Sequence, residues 1–147
     1  MPAISFFSED IDFSLPKPRK TTAWLKEVIS IEGGSLESLN FIFCSDSYLH
    51  SLNEQYLNHT TLTDIITFDN AETEGEIEGD IFISIDRVRE NAEKFGVSFE
   101  NELHRVLVHG VLHLLGYSDK TKAEKSVMRQ KEDIHLSLPT VPRETKG

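Results

Sequence analysis

Apolar positions along the chain switch between two periods, and the switches mark the elements. Ile4 and Phe6 alternate across Ala3–Ser8, the two-residue repeat of a strand. Pro16 and Pro18 punctuate a loop, after which Trp24, Leu25, Val28 and Ile29 share one helical face until Gly33-Gly34 ends it. Leu39, Phe41 and Phe43 alternate with Asn40, Ile42 and Cys44, which predicts a strand with one heavily aromatic face. Leu49, Leu52 and Tyr56 return to helical spacing, with Asp46 or Ser47 as the capping residue. Ile65–Phe68 and Ile81–Ile85 are β-branched runs separated by an acidic loop, Asp69–Glu78, and read as a pair of adjacent strands.

Helical spacing dominates the rest. Asp86 is placed to cap a helix carrying Val88, Ala92 and Phe95 and stopped at Gly96. Ser98 opens the next helix, with Glu100 and Glu102 in its first turn. Leu103, Val106, Leu107, Val111, Leu112, Leu114 and Leu115 make that helix apolar on nearly every side, so it belongs in the core, against the sheet. Thr121 and Glu124 form a capping box for a last helix containing Val127 and Ile134. The pattern predicts an α+β fold: a small mixed β-sheet packed with helices, and a core helix followed by a tight turn. Residues 1–136 are expected to form one domain, and 137–147, with Pro139, Pro142 and a charged end, a disordered tail.

Composition narrows the setting. A chain of 147 residues fits one domain and buries about 70% of its unfolded surface. The first ten residues lack the basic-then-apolar order of a secretory signal. No apolar run approaches the roughly 18 residues a membrane span needs. Cys44 is the one cysteine, so an intrachain disulfide is excluded; it reads as a strand-buried thiol in a reducing cytoplasm.

The core helix also carries the candidate chemistry. His109 and His113 are four residues apart and lie one above the other on one helix face. Such a pair arises by chance on many helices, but histidines on a buried helix need partners for their ring nitrogens. Gly116 then supplies a left-handed cap, letting the chain turn back so that Asp119 reaches the same point. Two imidazoles and a carboxylate make a three-ligand site with an open fourth position, the arrangement of catalytic metals. One zinc ion per chain is expected; the carboxylate also makes another divalent metal such as manganese acceptable. In H-E-x-x-H peptidases the residue after the first histidine is the glutamate that activates water. Here it is Gly110.

The stretch His109-Gly110-Val111-Leu112-His113-Leu114-Leu115-Gly116-Tyr117 resembles the signature of the YbeY endoribonuclease family of rRNA maturation factors, H-G-x-L-H-L-x-G-Y-D-H. Leu52-Asn53-x-x-Tyr56, Thr63-Asp64-Ile65-Ile66-Thr67-Phe68 and Gly79-Asp80-Ile81-Phe82-Ile83 resemble further family blocks in the family's order. The resemblance implies a zinc-dependent, single-strand-specific endoribonuclease of ribosome biogenesis. It implies action on ribosomal RNA or the small subunit, notably 16S rRNA 3′-end processing, rather than on DNA. It places Thr63, Asp64 and Thr67 near the cleft, where they either contact substrate or cap the turn and strand end. The chain departs from the family pattern twice. Asp119 stands at the third metal histidine, preceded by Ser118, and Leu57 stands where an arginine usually follows Tyr56.

A net charge of −10 argues against a general nucleic-acid coat. Cations do gather at Lys17, Arg19 and Lys20, and again at Lys120, Lys122, Lys125, Arg129 and Lys131 just past the metal turn. The second group is either a solvated helix face or an RNA track, with Lys120 and Lys122 nearest the metal. Two other classes remain: a non-catalytic ribosome-assembly factor with a stabilising metal, and a zincin-like hydrolase of small substrates.

Overall fold

The computed structural model describes residues 3–57 and 64–142, with the side chains of residues 56 and 57 outside the description. Strands Ala3–Ser8 (β1), Ser35–Cys44 (β2), Ile65–Asp69 (β3) and Glu76–Ser84 (β4) form one sheet in the order β1-β2-β4-β3. β1 and β4 flank β2 in parallel, while β3 pairs antiparallel with β4, Ile65 opposite Ile83. The helices are Pro18–Ile31 (α1), Asp46–Leu52 (α2), Ile85–Phe95 (α3), Phe99–Leu114 (α4) and Lys122–Leu136 (α5). The expected α+β class with a small mixed sheet is what forms.

Strand alternation sorts the core into two sides. Leu39, Phe41 and Phe43 face the main core, where they join Trp24, Leu25 and Val28 of α1 and Leu103, Leu107 and Val111 of α4. Each fully buried apolar side chain of this size contributes roughly 1.5–3 kcal/mol. Cys44, one position out of phase, faces the opposite side with Leu49 and Ile66. Burial pushes its thiol up to about 12, so it is an inert core group. A sheet with parallel strands needs cover on both faces, and α2 supplies it on this second side.

Gly110 sets how closely α4 approaches the sheet. A Cβ there would lie 2.9 Å from Ile81 Cδ1 and 3.0 Å from Ile65 Cδ1. Glycine at 110 therefore serves packing, and a side chain at that position would enter the core rather than the cleft.

Several expectations shift. The caps of α2 and α3 are Ser45 and Ser84, whose hydroxyls accept from Tyr48 and Arg87 backbone N–H, rather than Asp46 or Ser47, and Asp86. A serine at the last extended position reaches the orphan amides, while the aspartates already lie inside the first turn. β4 begins at Glu76, so the acidic loop is shorter than predicted, and Ile85 starts α3. A π-helical turn, Asn53–Leu57, follows α2 where a continuing helix was predicted. Phe95 is exposed. So are Val127 and Ile134; α5 turns Met128, Glu132 and His135 inward instead. Ser137–Pro142, expected to begin a disordered tail, carry Leu138 packed against the core and Val141 within it. No helix among the described residues is long and apolar enough to cross a membrane.

Candidate metal centre

α4 begins as predicted, its N-cap Ser98 accepting from Asn101 N–H. Its end has a Schellman arrangement around Gly116 at φ 107°. Gly116 N–H donates to the His113 carbonyl, and Tyr117 N–H donates to that of Leu112. The positive φ reverses the chain, and Asp119 returns to the face that holds the two histidines.

The three groups converge. His109 Nε2 and His113 Nε2 are 3.0 Å apart, and Asp119 Oδ2 lies 3.4 Å from the first and 3.5 Å from the second. Ligand atoms about 2.0–2.1 Å from a tetrahedral cation stand about 3.3 Å from one another. The observed edges bracket that value, so the residues fit a divalent metal. Part of each side chain remains open to solvent, most of all Asp119 at 37%. That opening is where a fourth ligand would enter.

Glu132 of α5 completes the arrangement. Its Oε2 lies 2.7 Å from His109 Nδ1, and its Oε1 accepts from Arg105 Nη1 at 2.9 Å. A carboxylate on Nδ1 fixes the proton there and leaves the Nε2 lone pair facing His113 and Asp119, the outer-shell device of many metal-bound histidines. Burial disfavours the ionised form of Glu132, but its bonds to His109 and Arg105 outweigh this and hold its carboxyl below the usual range.

The two histidines are pushed in opposite directions. Burial opposes the charged form of His109, yet Glu132 outweighs it and raises the pKa. Burial and the neighbouring His109 charge lower His113, against the pull of Asp119. Facing nitrogens 3.0 Å apart share one proton rather than carry two. The cluster thus provides for a positive charge at one point, and Asp119 and Glu132 flank it.

The other expected residues divide. Asp64 acts electrostatically on His109, and its carbonyl accepts from Ser84 N–H at 3.0 Å. Thr67 shares a strand face with Ile65, whose side chain reaches α4 at Gly110. Lys120 and Lys122 are exposed on the turn and at the start of α5. Thr63 and His59 lie outside the described residues, as does the Leu57 side chain. His104 is buried edge-on against Trp24. His135 is fully buried, and its Nε2 donates to Glu32 Oε2 at 2.6 Å. Sequence reasoning missed Glu132. Its one signal was a shared helical stripe with Met128 and His135, which reads as polar surface.

Comparison with known proteins follows the same residues. A family model described as endoribonuclease YbeY matches residues 6–138. A protein of that name from Amoebophilus asiaticus is 53% identical over 133 residues, covering 90% of each chain. Another from Cytophaga hutchinsonii is 53% identical over 135 residues, 92% of this chain and 94% of that one. A solution structure of a Thermotoga maritima protein, 28% identical, superposes with a TM-score of 0.59 over 97% of both chains. The family match over most of the length, with the relatives at this identity, settles membership: the chain belongs to the YbeY endoribonuclease family.

Proposed function

We propose that this protein is a metal-dependent, single-strand-specific endoribonuclease of ribosomal RNA maturation, with His109, His113 and Asp119 holding one zinc ion per chain. The reading takes 16S rRNA 3′-end processing as the reaction and the small ribosomal subunit as the partner, in the cytoplasm. One observation carries the metal part: three ligand atoms from α4 and its turn converge with edges of 3.0, 3.4 and 3.5 Å. The RNA part rests on the name shared by its relatives.

A bound divalent ion would supply Lewis-acid polarisation of a phosphoryl oxygen and acidify a water molecule. The chain's own residues prepare that chemistry. Glu132 keeps the His109 proton on Nδ1, and Arg105 holds Glu132 in register. Asp119, the most exposed of the three proposed ligands, leaves its side of the cluster open to solvent and so to a substrate. Asp64 acts on His109 from the segment before β3; in this reading it contacts substrate together with Thr67 of the following strand, and Lys120 and Lys122 offer cations to a phosphodiester backbone beyond the turn. Gly110 packs against Ile81 and Ile65 and offers no general base. That placement counts against peptidase chemistry of the H-E-x-x-H kind.

The test is cleavage of labelled single-stranded ribosomal RNA by purified protein, before and after chelation and with zinc restored. Chelator-sensitive cleavage that returns with zinc is the expected result. RNA binding without cleavage under every metal condition would replace this reading with the assembly-factor one.

A further inference from the structure

Away from the cluster, a second buried polar junction lies where α1, the turn after α4 and α5 meet. Glu32, at the end of α1, has a side chain only 6% exposed. Its Oε1 accepts from Tyr117 Oη at 2.6 Å, and its Oε2 from His135 Nε2 at 2.6 Å and Lys131 Nζ at 3.3 Å. Lys131 Nζ also lies 5.7 Å over the Tyr117 ring, and Trp24 Nε1 donates to the His135 carbonyl at 3.0 Å. We propose that Glu32 is a positioning residue for the metal centre: its carboxylate locks the turn that delivers Asp119 to the helix that delivers Glu132. The inference rests on the metal reading above.

The connectivity is short on both arms. One residue, Ser118, separates Tyr117 from Asp119. Tyr117 is held at its backbone by the Leu112 carbonyl and at its hydroxyl by Glu32, so its ring acts as a strut between α4 and α1. On the other arm Lys131 precedes Glu132 directly, and His135 follows one turn later on the same inner face. The turn and α5 each contribute a group aimed at His109, and Glu32 is their common anchor.

The electrostatics agree. Burial works against the ionised Glu32 carboxyl, but bonds from Tyr117, His135 and Lys131 outweigh it and lower its pKa. Hydrogen bonds to an ionised acceptor are about twice as strong as neutral ones. The junction is also costly, because the buried Nδ1 of His135 has no hydrogen-bond partner among the described residues. An apolar cluster would fill this place without an unpaired group, whereas a polar one fixes a register.

The experiment uses full-length protein, zinc alone as probe and a chromophoric chelator as competitor, with melting followed in parallel. Glu32→Gln is expected to weaken zinc binding about tenfold, the low end for outer-shell substitutions. Tyr117→Phe should weaken it a few-fold, at about a third of that range or less, and add nothing in the Glu32→Gln background, because both act through one network. Zinc affinity within about twofold of wild type in both single variants overturns the inference even if melting falls, because Glu32 would then be structural alone. If Glu32→Gln fails to fold, Tyr117→Phe decides by the same criterion. Should wild-type protein bind no zinc, the metal reading fails on its own. Crystal structures of the metal-free variants then decide: an Asp119 Oδ2 still equidistant from both imidazoles overturns the positioning role, and a displaced Asp119 supports it.

Discussion

Glu132→Gln is the sharpest single perturbation of the proposed metal centre, because it changes charge and proton placement while keeping shape. The two carboxylate oxygens accept from opposite donors, Arg105 Nη1 at 2.9 Å and His109 Nδ1 at 2.7 Å. Glutamine has one acceptor and one donor at the same positions. If its amide NH2 faces Arg105, two donors oppose each other. If it faces His109, Nδ1 must accept and the proton moves to Nε2, the nitrogen that faces His113 and Asp119. Neither orientation leaves the wild-type imidazole in its original setting. Outer-shell substitutions of this kind cost about 10–100-fold in metal affinity, which is about 1.4–2.8 kcal/mol. Competition of zinc between the protein and a chelator at neutral pH measures it directly, with circular dichroism showing that the fold persists. An affinity within about twofold of wild type would refute the tautomer argument and leave Glu132 as a partner of Arg105 alone.

Three further outcomes follow from the same structure. His113→Ala should abolish stoichiometric zinc, and Asp119→Ala should weaken binding more than Ser118→Ala; the reverse order in metal analysis would name the wrong third ligand. Gly110→Ala gains about 1 kcal/mol of helix propensity, against about 1–3 kcal/mol for overpacking at Ile81 and Ile65. Calorimetry should therefore show a lower Tm, and a raised Tm would refute the tight helix–sheet approach. Glu102 is buried, and burial outweighs the attraction of Arg105 to raise its pKa. The fold thus penalises its ionised form: the penalty is absent below the ordinary glutamate range, grows as pH rises above that range, and is complete above the raised value. Glu102→Gln should stabilise the protein near about pH 7 and do nothing near about pH 3; stabilisation at both would show that charge is not the cause.

The histidine pair, the glycine stop and Asp119 were legible because they lie within one helix and its turn, where spacing alone dictates geometry. The aromatic alternation of β2 and the capping box at Thr121 were legible for the same local reason. Glu132 and Glu32 were not. Each is a charged residue that becomes buried only because a distant element supplies its donors: α4 for Glu132, and the Tyr117 turn and α5 for Glu32. Periodicity assigned α5 to Val127 and Ile134 because it equates inward with apolar. The real inner face is two-thirds polar, Met128 with Glu132 and His135. The serine caps were missed by a residue or two because aspartates stand next to them and propensity cannot choose between neighbours.

α5 follows the other described helices in sequence, and it brings Glu132 to His109. A ribosome that has synthesised everything up to Asp119 has made all three proposed ligands, yet the imidazole at 109 still lacks the group that fixes its proton. A nascent or C-terminally clipped molecule would therefore expose a loosely set pair of histidines rather than a finished centre. The carboxylate that orients the first imidazole thus joins the chain later than both histidines and Asp119.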